Sequence, residues 1–292
     1  MRCFCMETER CRALLCAIEE GSLTAAAEKL GYTASGISRM MAALEEETGF
    51  PLLVRGREGV MPTEECRELL PIMRQLLAAA NVYEQTASGI RGLTRGTIRI
   101  GTSYYAYYKW FAELIADFRK EYPGISVEII DGTSTELLQA MENHMADLCI
   151  ISKRPGNYDW VPLKKDQLLA CIPENHPMAG RKRFPVSSFA EEDYIELYPG
   201  KETDNSQMLQ RHHITPKVKY ATSDNYAGYA MVAAGLGIAC TNAIIAESFT
   251  EGVCYLPLSP AQIVEIGIAT PKEKLMSPAA KKFSQFAIER FR

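Results

Sequence analysis

Residues 22–62 read SLTAAAEKLGYTASGISRMMAALEEETGFPLLVRGREGVMP, and their spacing decides the architecture of the N-terminal part of the chain. Ser22 is an N-cap residue for a helix over Leu23–Leu30. Gly31 supplies the turn, where a positive φ favours glycine. Thr33 caps a third helix that runs to about Thr48. Counted from Leu23, the small Ala27 is fifth, Gly31 ninth and the branched Ile37 fifteenth. Two helices that cross steeply need a small residue at the crossing, a flexible turn and an apolar plug. Gly49 closes the third helix. Phe50–Val54 then reads as extended, Arg55–Gly59 as a glycine-bounded turn and Val60–Pro62 as the returning strand. The expected unit is a helix-turn-helix with a wing.

Upstream, Arg10–Glu20 is predicted to be a helix with Leu14, Leu15, Ala17 and Ile18 on its apolar side, ended by Gly21. Downstream, Thr63-Glu64-Glu65 opens a long helix to about Ser88 with a cap and acids in its first turn. Leu69, Ile72, Met73, Leu76, Leu77, Ala80 and Tyr83 recur there at helical spacing. A helix of this length between two domains buries that face most simply against a second subunit. Pro71 removes one backbone donor, so a break or kink is expected near Leu69–Pro71. Residues 89–95, rich in glycine and polar residues, read as a hinge.

A winged helix-turn-helix points to double-stranded DNA, but bulk charge does not. The net charge is −4, and residues 1–95 hold 11 Lys and Arg against 13 Asp and Glu. Binding has to rest on local placement of cations and on doubling of contacts by a dimer. The first turn of the third helix is the part that enters the major groove. It offers Thr33, Ser35, Ser38 and Arg39. Arg39 suits a bidentate contact to guanine or a phosphate clamp, and the serines suit phosphate. Thr33 reads equally well as a cap. Arg55 and Arg57 at the wing tip suit phosphate or the minor groove.

No run of about 18 apolar residues is present, and the charged N-terminus lacks the pattern of a signal peptide, so a cytoplasmic location with no membrane contact is expected. The nine cysteines are scattered without a CxxC pair and read as reduced, mostly buried thiols. A redox switch between two cysteines of the C-terminal half is the lesser reading. The four histidines lack metal-ligand spacing, and neither a Walker loop nor a GxSxG motif occurs, so no catalytic site, metal or cofactor is expected.

The C-terminal half alternates strand and helix patterns. Strands are predicted at Gly96–Ser103, Ile125–Ile130 and Asp147–Ile151, with helices at Tyr107–Tyr122 and Ser134–Asn143. A second lobe follows, with strands at Leu168–Pro173, Tyr194–Leu197, Lys217–Ala221 and Gly237–Cys240. Helices are expected at Thr203–His212 and Ser223–Ala234. Ile263–Thr270 and a helix over Ala279–Phe291 return to the first lobe. This alternation predicts a parallel sheet, and two lobes joined by two crossovers leave a cleft for a small ligand. Helix starts after strands favour an anion such as a carboxylate, which singles out Thr102 and Ser103 after the first strand and residues 131–135 after the second. Tyr104, Tyr105, Tyr107 and Tyr108 are placed to stack on an aromatic ligand or to pack as core. Tyr198 and Thr241-Asn242 end strands of the second lobe and face the same cleft.

The chain resembles the LysR-type transcriptional regulators. The residues that carry this are Ile18–Leu30 (IEEGSLTAAAEKL), Ile37-Ser38-Arg39, Leu44-Glu45-Glu46, Pro62-Thr63-Glu64 and Gly96–Gly101 (GTIRIG). The chain departs from the family at Ala34, where glutamine is frequent, at Gly36, where alanine is usual, and at Cys66, where glycine commonly follows. The resemblance implies a multidomain protein of α+β and α/β class. A winged helix-turn-helix would occupy 1–62, a dimerising linker helix 63–88 and a hinge 89–95. An effector domain shaped like a periplasmic binding protein would fill 96–292, its first lobe at 96–163 and 269–292 and its second at 164–268. It also implies that Ser103, Thr133, Ser152 and Lys153 line the cleft, with Lys153 offsetting a carboxylate. The expected function is sequence-specific transcription regulation gated by a small effector, a carboxylate or aromatic acid. Promoter DNA, further copies of the chain (a dimer, then a dimer of dimers) and RNA polymerase are the expected partners. An enzyme on the α/β lobes and a ligand-independent architectural DNA binder are the rivals.

Overall fold

The computed structural model describes residues 8–56, 59–91, 95–272 and 276–290, with the side chains of Arg55 and of residues 104–109 outside that description. The chain divides after residue 93 into two units. The first contains helices α1 (Thr8–Glu19), α2 (Leu23–Leu30) and α3 (Ala34–Thr48), then strands β1 (Leu53–Gly56) and β2 (Gly59–Pro62), then helix α4 (Glu64–Ile90). Ser22 Oγ accepts from Ala25 N at 3.3 Å. Gly31 and Gly49 end α2 and α3 at φ 70° and 84°. These are the left-handed positions that glycine fills without a steric penalty. Leu14, Ile37, Leu44, Leu52 and Met73 form one buried core, with Ala27 at the α2–α3 crossing.

The wing is tied to this core at three points. Val60 N donates to Gly21 O at 2.8 Å. Thr63 Oγ1 donates to Pro51 O at 2.9 Å. Glu45 Oε1 accepts from Leu52 N and Leu53 N at 2.8 and 3.2 Å. α4 runs without a break through Pro71, where the sequence led to an expected break or kink. Proline denies one donor to the carbonyl four residues back. Leu70 and Met73 on either side of it are buried in the core, and their packing holds the helical path.

The second unit begins with β3 (Gly96–Thr102), α5 (Tyr104–Glu121), β4 (Ile125–Asp131), α6 (Ser134–Glu142) and β5 (Leu148–Ser152). A 16-residue strand, β6 (Tyr158–Pro173), follows, then β7 (Phe184–Pro185), β8 (Asp193–Leu197), α7 (Asp204–Arg211), β9 (Lys217–Thr222) and α8 (Asn225–Ala233). β10 (Ala239–Asn242), α9 (Ala243–Ala246), β11 (Val253–Ser259), β12 (Ile263–Pro271) and α10 (Pro278–Arg290) complete it. The sheet order is β4-β3-β5-β12-β6-β11-β7, with β10 also on β6.

This sheet is mixed, where strand–helix alternation predicts a parallel one. β4, β3 and β5 are parallel, but β12 is antiparallel to both β5 and β6. A strand that leaves a lobe and one that returns to it must run in opposite senses when they lie side by side. β6 and β12 are those two crossovers. Leu163 packs on the first core, around Phe111, Phe118 and Phe283, whereas Leu168 lies in the second, around Phe184, Phe189 and Met208. Val264 and Ile266 divide between the same two cores on the way back.

Asp166 sits on the β6 crossover. Its Oδ1 accepts from Gln167 N at 2.9 Å and Ile244 N at 3.3 Å, while Oδ2 is buried without a partner. Burial pushes its carboxyl above the ordinary 3.8.

Two predictions follow from these contacts. A Cβ at Gly59, whose φ is +105°, would stand 2.4 Å from Gly21 O. Gly59→Ala is expected to cost about 1–3 kcal/mol. Gly56→Ala, which meets nothing within 4 Å, serves as the control. Urea unfolding of the full chain checks the pair. At Asp166, the folded state holds its proton more tightly than the unfolded state, so stability falls as pH rises from 3.8 through the raised value and stays low above it. Asp166→Asn is therefore expected to raise the thermal midpoint at neutral pH, with the gain shrinking as pH falls toward 3.8. Thermal scans of both chains across that range check the sign.

Candidate functional site

α3 turns Ile37, Met41 and Leu44 inward, which leaves the opposite stripe to solvent. Ser35 and Arg39 are exposed on that stripe, one helical turn apart, and Ser38 beside them is half-buried. Arg39 Nε donates to Ser35 O at 3.4 Å, a long bond that leaves most of the guanidinium open to a nucleic acid. Thr33 is the cap of α3. Its Oγ1 accepts from Gly36 N at 3.0 Å and lies 3.2 Å from Ser35 Oγ. A methyl group at Gly36 would approach Thr33 Oγ1 to 3.1 Å, so glycine leaves this cap undisturbed. Arg55 falls on β1, antiparallel to Val60. Arg57 lies outside the described residues.

Within the second unit, a cavity of about 270 Å³ opens between the two lobes. Ser103, Thr133, Tyr198 and Thr241 of the expected set line it. Ser103 Oγ donates to Gly132 O at 3.1 Å. Thr133 Oγ1 accepts from Glu136 N at 3.3 Å, a cap at the start of α6. Thr241 Oγ1 lies 2.6 Å from Tyr229 OH, and both residues are buried. Tyr104 begins α5; its side chain and those of Tyr105, Tyr107 and Tyr108 lie outside the described parts of the chain.

Three expected residues stand elsewhere. Thr102 is fully buried under the sheet end, not in the cavity wall. Ser152 is behind the wall; its Oγ donates to Asp204 Oδ2 at 2.8 Å. Lys153 points away, toward Glu265 at 3.5 Å and the Trp160 ring at 5.9 Å. The reason is the two-residue period of an extended chain. Residues 152 and 154 face one side and 153 the other, so the cation that this strand end gives the cavity is Arg154.

Arg154 is 5% exposed at its side chain and pairs with Asp204 at 2.8 Å. Its Nη1 donates to Lys153 O at 3.1 Å, and Nε is buried without a partner. Asp204 and Asn205 begin α7, just inside the Thr203 cap, and both line the cavity. Asn205 Nδ2 donates to Cys240 O at 2.7 Å, while its Oδ1 has no partner. Thr203 and Ser206 form a capping box at the start of α7. At the rim, Lys201 pairs with Glu136 at 3.1 Å, and Thr135 Oγ1 donates to Glu202 at 3.1 Å. The Thr133 N–H and then Lys201 hold the Glu136 carboxyl below its ordinary value.

The described cysteines are free thiols. Cys171 and Cys240 belong to different cores, on adjacent antiparallel strands. Burial raises both, Cys171 to about 12 and Cys240 further, which keeps them protonated and unreactive. Among the described residues no group of three or more His, Cys, Asp or Glu is placed to hold a metal ion. Nor is any helix among them long and apolar enough to cross a membrane.

Comparison with known proteins agrees with this organisation. The bacterial regulatory helix-turn-helix of the lysR family matches residues 8–67, and the LysR substrate binding domain matches residues 91–292. YvbU of Bacillus subtilis, an uncharacterized HTH-type transcriptional regulator, is 28% identical over 276 residues, 94% of each chain. GltC of the same organism, a transcriptional dual regulator, is 24% identical over 265 residues, 88% of each. Among solved structures, a full-length OxyR variant from Pseudomonas aeruginosa superposes with a TM-score of 0.75 at 18% identity, over 97% of this chain and 94% of that one. Full-length CbnR in complex with its target DNA gives 0.68 at 19%, over 98% and 100%. The chain belongs to the LysR family and is a DNA-binding transcriptional regulator with an effector-binding domain.

Proposed function

We propose that a small carboxylate-bearing effector binds between the two lobes and changes how an oligomer of this chain holds promoter DNA. The observation that carries this reading is the cavity of about 270 Å³ walled by residues of both lobes, with the two crossover strands as the connection between them. A ligand that touches both lobes has a differential affinity for their arrangements, which is the requirement for shifting a conformational equilibrium. Ile72, Tyr83 and Ile90 on α4 are 58%, 75% and 83% exposed in the single chain, which supports a second subunit's helix against that face. Pairing of two dimers, contact with RNA polymerase and a cytoplasmic setting complete the proposed picture.

On the DNA side, Arg39 reads a base edge or clamps a phosphate, with Ser35 and Ser38 on phosphates and the wing arginines, Arg55 and Arg57, on the neighbouring backbone. Arg39→Ala is expected to abolish specific binding in a band-shift assay, with an unchanged circular dichroism spectrum. Retained wild-type affinity rules the assignment out. On the effector side, Asn225 lines the cavity at the start of α8. Asn225→Trp fills that space, and footprinting on the upstream intergenic DNA is expected to become insensitive to any small molecule that alters the wild-type footprint.

A further inference from the structure

The charged side chains in the cavity wall include both signs, and this limits what can enter it. Four charged side chains line it: Arg154 and Lys201, and Asp131 and Asp204. Both cations already face a carboxylate, Arg154 on Asp204 at 2.8 Å and Lys201 on Glu136 at 3.1 Å. A ligand carrying only negative charge would have to approach Asp204 along with Arg154. A ligand carrying only positive charge meets the opposite problem at Arg154. Either would be desolvated next to a like charge in a partly enclosed site, where such contacts are costly.

The pair is also incompletely bonded. A guanidinium has five N–H groups. Arg154 uses one on Asp204 and one on Lys153 O, and its buried Nε has none. A carboxylate accepts about four hydrogen bonds. Asp204 takes Arg154 on Oδ1, with Ser152 at 2.8 Å and Asn242 at a long 3.5 Å on Oδ2. A spare cationic donor and a spare anionic acceptor therefore lie side by side. The molecule that matches this has a carboxylate and an ammonium one carbon apart. Beyond the pair, Leu197, Tyr198, Tyr229 and Ile245 provide an apolar part of the wall for a side chain.

We propose that the effector is a zwitterion, an α-amino acid, whose carboxylate is held by Arg154 and whose ammonium is held by Asp204. This rests on the cleft being the effector site and narrows the ligand class from carboxylates in general. Thr133 and Asn205 add a hydroxyl and an amide acceptor within the same lining.

Isothermal calorimetry of the full-length chain tests it. The probes are the twenty common α-amino acids, the matching acids that lack the amino group, the matching amines that lack the carboxylate, and a set of sugars and polyols. At least one amino acid is expected to bind saturably, with its des-amino and decarboxylated partners weaker by about tenfold or more, the loss of one charge-assisted bond. Asp204→Asn, which preserves shape, is expected to bring the amino acid and its des-amino partner within about twofold of each other. A carboxylate or polyol that binds as tightly as the best amino acid overturns the zwitterion. If that ligand is lost in Asn225→Trp, the cleft remains the effector site and only the ligand class is wrong. An amino acid that binds wild type and Asn225→Trp equally overturns both readings. No binding by any probe overturns the zwitterion, whatever the state of the Asp204 variant.

Discussion

Asp204 is the carboxylate on which the effector half depends. It belongs to the second lobe, at the first turn of α7, yet its partners Ser152 and Arg154 extend from the end of β5 in the first. A buried ion pair contributes little net stability because desolvation offsets attraction, while removing one partner strands the other at a cost of about 3–5 kcal/mol. The pair's importance is therefore positional. It fixes which side chains the two lobes present to the cavity, and the exposed contacts at the rim, Lys201 with Glu136 and Thr135 with Glu202, are worth far less. Both crossovers, β6 and β12, are continuous strands through this region, so the lobes can shift only as far as two hydrogen-bonded strands bend.

In the DNA-binding half the acids are not all placed alike. Of the acids at 45–47, Glu45 is used on the backbone N–H groups of Leu52 and Leu53, where it anchors the wing. Glu47 pairs with Arg10 of α1. Glu45 and Glu47 are thus both engaged within the unit. Counting charges along the chain treats all three alike. Their placement separates structural acids from those that a phosphate would meet.

Most of the fold was legible because its signals are local. Ser22, Gly31, Thr33 and Gly49 cap or end helices by contacts within a few residues, so the sequence alone places α2 and α3 to the residue. The starts of α6, α7 and α8, marked by Ser, Thr or Asp, place those helices to within two residues. What was not legible depends on partners distant in the chain. The antiparallel course of β12 follows from lobe crossing, which no local pattern encodes. β11 and the first half of β6 went unread because their partners, not their composition, make them strands. At Pro71 the helix continues without a break, with Leu70 and Met73 beside it buried.

The site divides along the same line, and the division explains the choice of the wrong cation. Ser103, Thr133 and Thr241 follow strands, a position that topology alone puts near the cleft. Lys153 satisfies that rule too, one residue after β5 ends, but the rule says nothing of which face a side chain takes. The two-residue period supplies the missing half: if Ser152 faces inward, so does residue 154, and 153 does not. Arg154 was within reach of that argument. Asp204 was not, because its role comes from a partner 50 residues earlier in the chain. A balanced pair in place of a lone lysine turns a site for an anion into one for a molecule that carries both charges.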